Sequence, residues 1–116
     1  MPLTMSAAFR EDAAVAAANL GALMSLHTGD PGANGTANEA TGGGYSRLST
    51  TWTGGTIDGS VPGTAVEFSA AAGTYSYYCV RKSDGTFLWS QSFSAITLPQ
   101  AMKLRVTPTF TVPQGT

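Results

Sequence analysis

In the N-terminal part of the chain, apolar residues recur three and four positions apart, which is the spacing of one face of a helix. Good helix formers predominate from Thr4 to Leu20. Thr4 or Ser6 can cap the start of this helix, and Gly21 can end it in the left-handed conformation. The apolar face consists of Met5, Phe9, Ala13, Ala16 and Leu20. Because an isolated helix of this length is marginal in water, we expect this narrow face to lie against a sheet or a neighbouring subunit.

After Gly21 the spacing changes to two, and β-branched and aromatic residues alternate with polar ones between clusters of Gly, Asn and Asp. The clearest strands cover residues 74–82 and 86–93, joined through Ser83-Asp84-Gly85, which is typical of a tight hairpin. The Gly- and Asn-rich residues 29–44 are predicted to form one long loop between two strands. The other strands, in a total of six to eight, are predicted at residues 23–28, 45–53, 56–61, 64–69 and 101–107.

These elements predict a mainly β fold with one N-terminal α-helix. The 116 residues suit a single core and leave no room for a second. Many short strands with frequent turns are typical of a sandwich or a barrel. We therefore expect a single domain over residues 1–116. It combines a helix at residues 4–20 with an antiparallel β-sandwich or flattened barrel at residues 22–112, which contains the long loop 29–44.

Charge is scarce along the whole chain. Charged residues make up 11% of the sequence, against roughly 25% in typical soluble proteins. A surface of Thr, Ser, Gly and Asn gives little repulsion between neighbours and suits a protein held permanently against others. The formal net charge of -1 and the lack of a basic run argue against nucleic acid as a partner. The alanine-rich residues 13–26 are too short for a membrane span, so we expect no membrane partner and an unprocessed chain made in the cytoplasm.

Residues with catalytic or metal-binding chemistry are few and scattered. No nucleophile motif accompanies His27, the only histidine, so we expect its ring nitrogens to bond to nearby backbone. Cys79 is the only cysteine, which excludes an internal disulfide and a zinc site built on cysteine pairs. The spacing after Asp30 departs from that of a calcium loop, and Asp30-Pro31-Gly32 is typical of a turn capped by the aspartate. We therefore predict no catalytic residue, no metal, no cofactor and no enzymatic activity.

Aromatic residues are concentrated in the predicted hairpin, as Tyr75, Tyr77, Tyr78 and Trp89. Such rings can stack on sugars and form a carbohydrate-binding platform. They can equally fill the core of a small sandwich or a subunit interface. We prefer the second interpretation, because it is the commoner role of aromatic residues in domains of this kind.

Two stretches around the long loop carry a recognisable motif: SLHTGDPG at residues 25–32 and ANEATGGGYSR at residues 37–47. Their order and spacing resemble those of small structural proteins of tailed bacteriophages, described as minor tail or tail-fibre-like proteins. Ser46 stands where alanine is usual in that group. The resemblance is specific over the first half of the chain and looser over the second. It implies a location in the virion and a β-rich fold, and it implies no catalytic residue.

The same motif has a physical interpretation as a clamp on its own loop. Asp30 and Glu39 are acidic, Arg47 is basic, and all three lie around one loop, so an arginine–carboxylate pair can hold both loop ends to the sheet. His27 can add a hydrogen bond to this cluster. An exposed ion pair contributes only roughly 0 to 1 kcal/mol, so the clamp matters for stability only if it is partly buried.

The motif and the composition lead to three hypotheses about function. The first is a non-enzymatic virion protein of the tail or tail tip, synthesised in the host cytoplasm, which assembles symmetrically with copies of itself and contacts other virion proteins. The second is a capsid decoration protein on the head. The third, from another class, is a carbohydrate-binding module for host attachment that uses Tyr77, Tyr78 and Trp89. A tail location is favoured over the head, and a host-surface glycan is the less expected partner.

Overall fold

A computed structural model describes residues 6–53 and 59–112, and within these ranges one helix precedes eight strands. The helix, α1, spans Ala7–Ala18. The strands are β1 Leu23–His27, β2 Leu48–Ser49, β3 Ser60–Pro62, β4 Val66–Ala70, β5 Gly73–Arg81, β6 Phe87–Leu98, β7 Met102–Val106 and β8 Thr109–Thr111. Paired strands run antiparallel. The predicted mainly β fold with one N-terminal helix is therefore confirmed, and the described strands form open sheets and no closed barrel.

The largest sheet contains four strands in the order β2-β1-β5-β6. A second sheet pairs β4 with β7, and a third pairs β3 with β8. The main core joins the first two sheets, and its most deeply buried side chains are Met24, Leu26, Phe68, Ala70 and Val80. Removing a fully buried aromatic ring such as that of Phe68 typically costs about 3–5 kcal/mol, so this contact between sheets is a major source of stability.

The predicted hairpin between β5 and β6 forms at the expected turn. The amide of Lys82 donates to the carbonyl of Thr86 at 2.8 Å, and the Asp84 side chain accepts from the Thr86 amide at 2.9 Å. Gly85 has a φ of 94°, which explains why the turn needs glycine. The second arm extends five residues beyond the predicted end at Phe93, because pairing with β5 resumes at Ile96 after an irregularity in register.

The helix is shorter than predicted, and it packs through a different face. Ser6 caps its start by accepting from the Phe9 amide at 3.1 Å, and it ends at Ala18. The buried positions are Glu11, Ala14 and Ala18. The two alanines lie against Val61 of β3 in a second small core. Small side chains permit this close approach of helix and sheet. Thr4 and Met5 lie outside the described residues.

The predicted helix face points away from the chain's own core. The side chain of Phe9 is 57% exposed and that of Leu20 is 60% exposed, and Ala16 between them is also exposed. Ala13 is half-buried. Of the two expected partners of this stripe, a sheet or a neighbouring subunit, the described residues of its own chain do not supply the first. A contact with a neighbouring subunit stays a prediction.

Gly21 does not end the helix in a left-handed conformation, contrary to the prediction, because its φ is not positive. Asn19 takes the capping position with right-handed backbone angles. Gly21 is needed for another reason: a Cβ atom there would lie 2.3 Å from the carbonyl oxygen of Arg81. The glycine therefore allows the chain entering β1 to pass close to the end of β5.

One strand is shorter than predicted, and one strand was not predicted. Of the strand predicted at residues 45–53, only β2 and one isolated bridge at Trp52 form, because β2 has only Leu23 and Met24 as partners. β8 lies in what the sequence indicated to be an irregular tail, and it forms by pairing with β3. Part of the strand predicted at residues 56–61 lies outside the described residues.

Candidate functional site

The long loop between β1 and β2 covers a second, polar face of the largest sheet. Ser25 and His27 on β1 alternate with core residues, yet both are fully buried. Cys79 and Arg81 on β5 are buried beside them. The loop doubles back, so that the amide of Thr28 donates to the carbonyl of Asn38 at 2.9 Å. The sheet therefore has an apolar face toward the core and a polar face toward the loop.

The first polar cluster, which we call the carboxylate clamp, joins Glu39, Tyr45 and Arg47. Nε and Nη2 of Arg47 donate to the two carboxylate oxygens of Glu39, each at 2.9 Å. The Tyr45 hydroxyl donates to Glu39 at 2.7 Å and accepts from the backbone amide of Leu26 at 3.0 Å. The C-terminal side of the loop is thus tied to β1 through one carboxylate.

The surroundings of the carboxylate clamp shift two pKa values. The bidentate hydrogen bonds from Arg47 lower the pKa of Glu39 to about 2. Burial, followed by the hydrogen bond to Glu39, raises the pKa of Tyr45 far above its ordinary value. At neutral pH the site therefore holds an ionised carboxylate between a guanidinium and a neutral phenol, which is a structural arrangement with no free acid or base.

The second polar cluster, which we call the histidine cluster, is built on Ser25, His27 and Arg81. Nδ1 of His27 lies 2.8 Å from the carbonyl oxygen of Ala37, and Nε2 lies 2.8 Å from the hydroxyl of Ser25. Because a carbonyl oxygen can only accept, the proton is on Nδ1, and Nε2 accepts from Ser25. The Ser25 oxygen in turn accepts from Nε of Arg81 at 3.1 Å.

Burial is the largest influence on His27, and it lowers the pKa of the imidazole below 6.5. The hydrogen bond to Ala37 and the nearby Glu39 oppose this effect, and the cations of Arg81 and Arg47 add to it. His27 is therefore a neutral structural residue at neutral pH, with both ring nitrogens bonded and neither available for proton transfer.

Arg81 connects the loop to the hairpin turn, and the sequence analysis did not identify it. Its side chain is almost fully buried and donates to the backbone carbonyls of Gly35 and Gly85. Its guanidinium lies 5.9 Å from the ring centre of Phe87. The available signal was the spacing of two along β5, which places Arg81 on the same face of the strand as Tyr77 and Cys79.

Asp30 does not take part in the carboxylate clamp. Its carboxylate accepts from the amide of Gly32 at 2.9 Å, as expected for a capped turn, and Asn38 donates to its backbone carbonyl at 2.9 Å. The expectation that it also binds Arg47 is not met, because Nε and Nη2 of Arg47 both donate to Glu39 and the Asp30 carboxylate is used within its own turn. Of the four residues proposed for the clamp, Glu39 and Arg47 meet directly, and His27 lies beside Glu39 through strand pairing.

The aromatic residues of the hairpin lie mainly in the core. Tyr75 and Tyr78 are only 3% and 4% exposed, and Tyr78 packs edge-on against Trp89 with 5.8 Å between ring centres. Trp89 also contacts Phe110 at 5.3 Å. Tyr77 is half-buried and lies opposite His27 in the β1–β5 register. The buried rings of Tyr75 and Tyr78 offer no open face on which a sugar could stack.

Within residues 6–53 and 59–112, no three His, Cys, Asp or Glu side chains come close enough to hold a metal ion. Burial raises the pKa of the Cys79 thiol, so this residue is protonated at neutral pH. The polar groups of the site hold the long loop on the sheet.

No described helix is long and apolar enough to cross a membrane.

These features describe a small β-rich domain whose polar residues hold one long loop on its largest sheet. The model of the family described as podophage GP4 fiber I protein gp80 matches residues 3–107, and the chain belongs to this family. It is accordingly a structural protein of a phage tail. No curated protein and no solved structure shows significant similarity to the chain.

Proposed function

We propose that this chain is a non-enzymatic assembly protein of the tail or tail tip, which acts by contacts with copies of itself and with other virion proteins. The observation that carries the proposal is the outer stripe formed by Phe9, Ala13 and Ala16 of α1 together with Leu20, two residues past the end of the helix. Two large apolar side chains on this stripe are more than half exposed, although the opposite face of the helix is fully packed. Exposed apolar surface of this kind is typical of an interface.

The stripe has a shape that suits a close contact between helices or with a sheet. Large residues stand at its two ends, and the small residues Ala13 and Ala16 lie between them. Alanine lets a partner backbone approach closely, while Phe9 and Leu20 supply the apolar area. Asp12 is the nearest exposed charge on the helix, and it lies beside the stripe.

The loop supports the same proposal, because it is a rigid surface without charge at its tip. Ala33, Asn34 and Thr36 are exposed, while the base of the loop is fixed by the two polar clusters. A loop that is already ordered loses little conformational entropy when it binds. We propose that it contacts a neighbouring virion protein.

The test compares two lysine variants of the full chain in sedimentation velocity experiments over a range of concentrations. Ala16→Lys places a charge in the middle of the stripe, and Ala8→Lys places one on an exposed helix position outside it. Each new lysine lies four residues from Asp12, but only Ala16→Lys has the more favourable order of acid before base, whereas the lysine of Ala8→Lys lies in the first turn of the helix. The control variant therefore carries the larger cost to the helix, so a loss of self-association confined to Ala16→Lys cannot be attributed to helix destabilisation. We expect Ala16→Lys to abolish self-association and Ala8→Lys to preserve it.

Circular dichroism of both variants controls for folding. If Ala16→Lys keeps the wild-type β-sheet spectrum and self-associates as the wild type does, the stripe is not the interface. If the wild type is monomeric at every concentration, self-assembly through the isolated chain is excluded.

A further inference from the structure

The four-stranded sheet ends in a long strand with a free edge. Within the described residues β6 pairs with β5 alone, so its other edge carries backbone groups without strand partners. Six of its twelve residues are exposed, and none of the twelve is charged. Natural sheets usually protect such an edge with lysine, proline or a covering segment, because an open edge pairs with other chains. β6 has neither lysine nor proline.

Beside this edge the sandwich is open. A groove of about 270 Å³ lies between β6 and β7, with Tyr78, Phe93 and Val106 among its apolar lining residues. Ile96 also lines this groove, and its side chain is 38% exposed. In the β5–β6 register Ile96 lies opposite the buried Tyr75, so it is on the core side of the sheet and lacks a cover.

The edge and the groove complement each other. A strand added to β6 would continue the sheet over the groove and place its inward side chains on Phe93 and Val106. A second copy of β6 could be that added strand, since β6 carries apolar residues at inward positions and no charge. In a two-fold contact the same strand faces itself in the antiparallel direction, so a charge near the two-fold axis would lie beside its own copy, and the absence of charge along β6 removes this repulsion for every position of the axis.

We propose that β6 pairs with β6 of a second copy of this chain, continuing the four-stranded sheet across a two-fold axis. Arg105 is the charged residue at the groove, and Glu67 lies directly opposite it on β4, so the rim adds little net charge. The proposal rests on the self-assembly proposed above, but it assigns a surface distinct from the helix stripe.

The first experiment adds charge to one edge of the sheet at a time. Ile96→Lys places a lysine on the groove side of β6, where the added strand would have to bury it against apolar side chains without a charged partner. Ser49→Lys is the matched control, because Ser49 is an exposed residue of β2, the opposite edge strand of the same sheet. Sedimentation velocity of the full chain should show loss of the dimer for Ile96→Lys and an unchanged dimer for Ser49→Lys.

The second experiment does not depend on weakening the fold. Single cysteines are introduced at exposed positions of β6, and disulfide-linked dimers are measured after mild oxidation. The wild-type Cys79 is fully buried, which keeps the background low. A disulfide needs Cα atoms about 4.4–6.8 Å apart, so only positions near the two-fold axis should cross-link efficiently. The positions are Gln91, Ser92, Ser94 and Thr97, with Ser49→Cys as the control.

Three outcomes overturn the proposal. If the chain self-associates and Ile96→Lys leaves the dimer intact, the β6 contact is wrong while self-assembly stands. If Ser49→Cys cross-links as fast as the β6 cysteines, the contact is at another edge or is random collision. If the wild type is monomeric at every concentration and no β6 cysteine cross-links, both this inference and self-assembly of the isolated chain fail.

Discussion

Glu39 and Arg47 allow a direct measurement of how strongly the carboxylate clamp holds the loop. We consider Glu39→Gln, Arg47→Met and the double variant, which remove one charge each while keeping most of the side-chain volume. The side chain of Glu39 is 23% exposed and that of Arg47 is 35% exposed. Exposed ion pairs contribute roughly 0 to 1 kcal/mol, whereas hydrogen bonds to charged groups contribute about 1.5–3 kcal/mol. The exposure of this pair is intermediate between these two cases, so each single variant should lower the free energy of unfolding by about 1–3 kcal/mol.

The shifted pKa of Glu39 gives an independent upper bound. A fall from the ordinary value of 4.5 to about 2 corresponds to at most about 3–4 kcal/mol, since one pKa unit equals about 1.36 kcal/mol. Solvent around the half-exposed Arg47 reduces this figure. We therefore expect a coupling energy of about 1–2 kcal/mol between the two positions in a double-mutant cycle.

The stabilisation should also depend on pH in a defined window. The folded carboxyl has the lower pKa, so its contribution is complete above the ordinary value of 4.5 and is lost as pH falls from there toward about 2. Urea unfolding followed by tryptophan fluorescence at pH 7 and pH 3 measures this. A coupling energy below about 0.3 kcal/mol at pH 7, which is within the usual error of additivity, would refute the clamp as a stabilising element. An equal coupling energy at pH 7 and pH 3 would refute its electrostatic origin.

Two further predictions concern the loop and the histidine cluster. Gly43 and Gly32 both have positive φ, but a Cβ on Gly43 would lie 2.5 Å from the backbone nitrogen of Ala71, while one on Gly32 meets nothing within 4 Å. Thermal unfolding should show a loss of about 1–2 kcal/mol for Gly32→Ala, from backbone strain, and a clearly larger loss for Gly43→Ala. His27 should be neutral with its proton on Nδ1 at pH 7, which nitrogen chemical shifts report. Its lowered pKa means that the free energy of unfolding falls as pH drops from 6.5 toward 4.5, above the window in which Glu39 contributes. That slope should disappear in His27→Asn; a slope that persists would assign it to another group.

Local patterns predicted the β5–β6 hairpin and the strands β1, β4 and β7 well. Their alternation of apolar and polar residues reflects burial on one face, and the Asp84-Gly85 turn is determined by neighbouring residues. β8 was missed because it is short and flanked by Pro108 and Pro113, which indicate an irregular tail, and because its pairing partner, β3, is distant in sequence. The short β2 shows the opposite error: its residues alternate correctly, but only Leu23 and Met24 are available to pair with them.

The sequence predicted the contact of the site that lies within one loop, and it did not predict the contact between residues that are distant in the sequence. Glu39 and Arg47 are eight residues apart, so their contact followed from loop geometry. Arg81 and Gly35 are 46 residues apart, and their contact exists only because β5 pairs with β1 beneath the loop. Asp30 was assigned to the clamp because of its charge, but its own turn uses its carboxylate.

The helix shows why periodicity alone does not identify the partner of a buried face. The spacing of large apolar residues marked Phe9 and Leu20, yet the face packed within the chain carries Ala14 and Ala18, because only small side chains allow the helix to lie directly on Val61. A helix that is packed on one side and still apolar on the other has the pattern of an element with two contacts. In a protein that assembles, the sequence pattern therefore records burial by other subunits as well as burial by its own core. On this reasoning, the stripe that looks misplaced in the single chain is the surface on which we expect a second copy or another virion protein to bind.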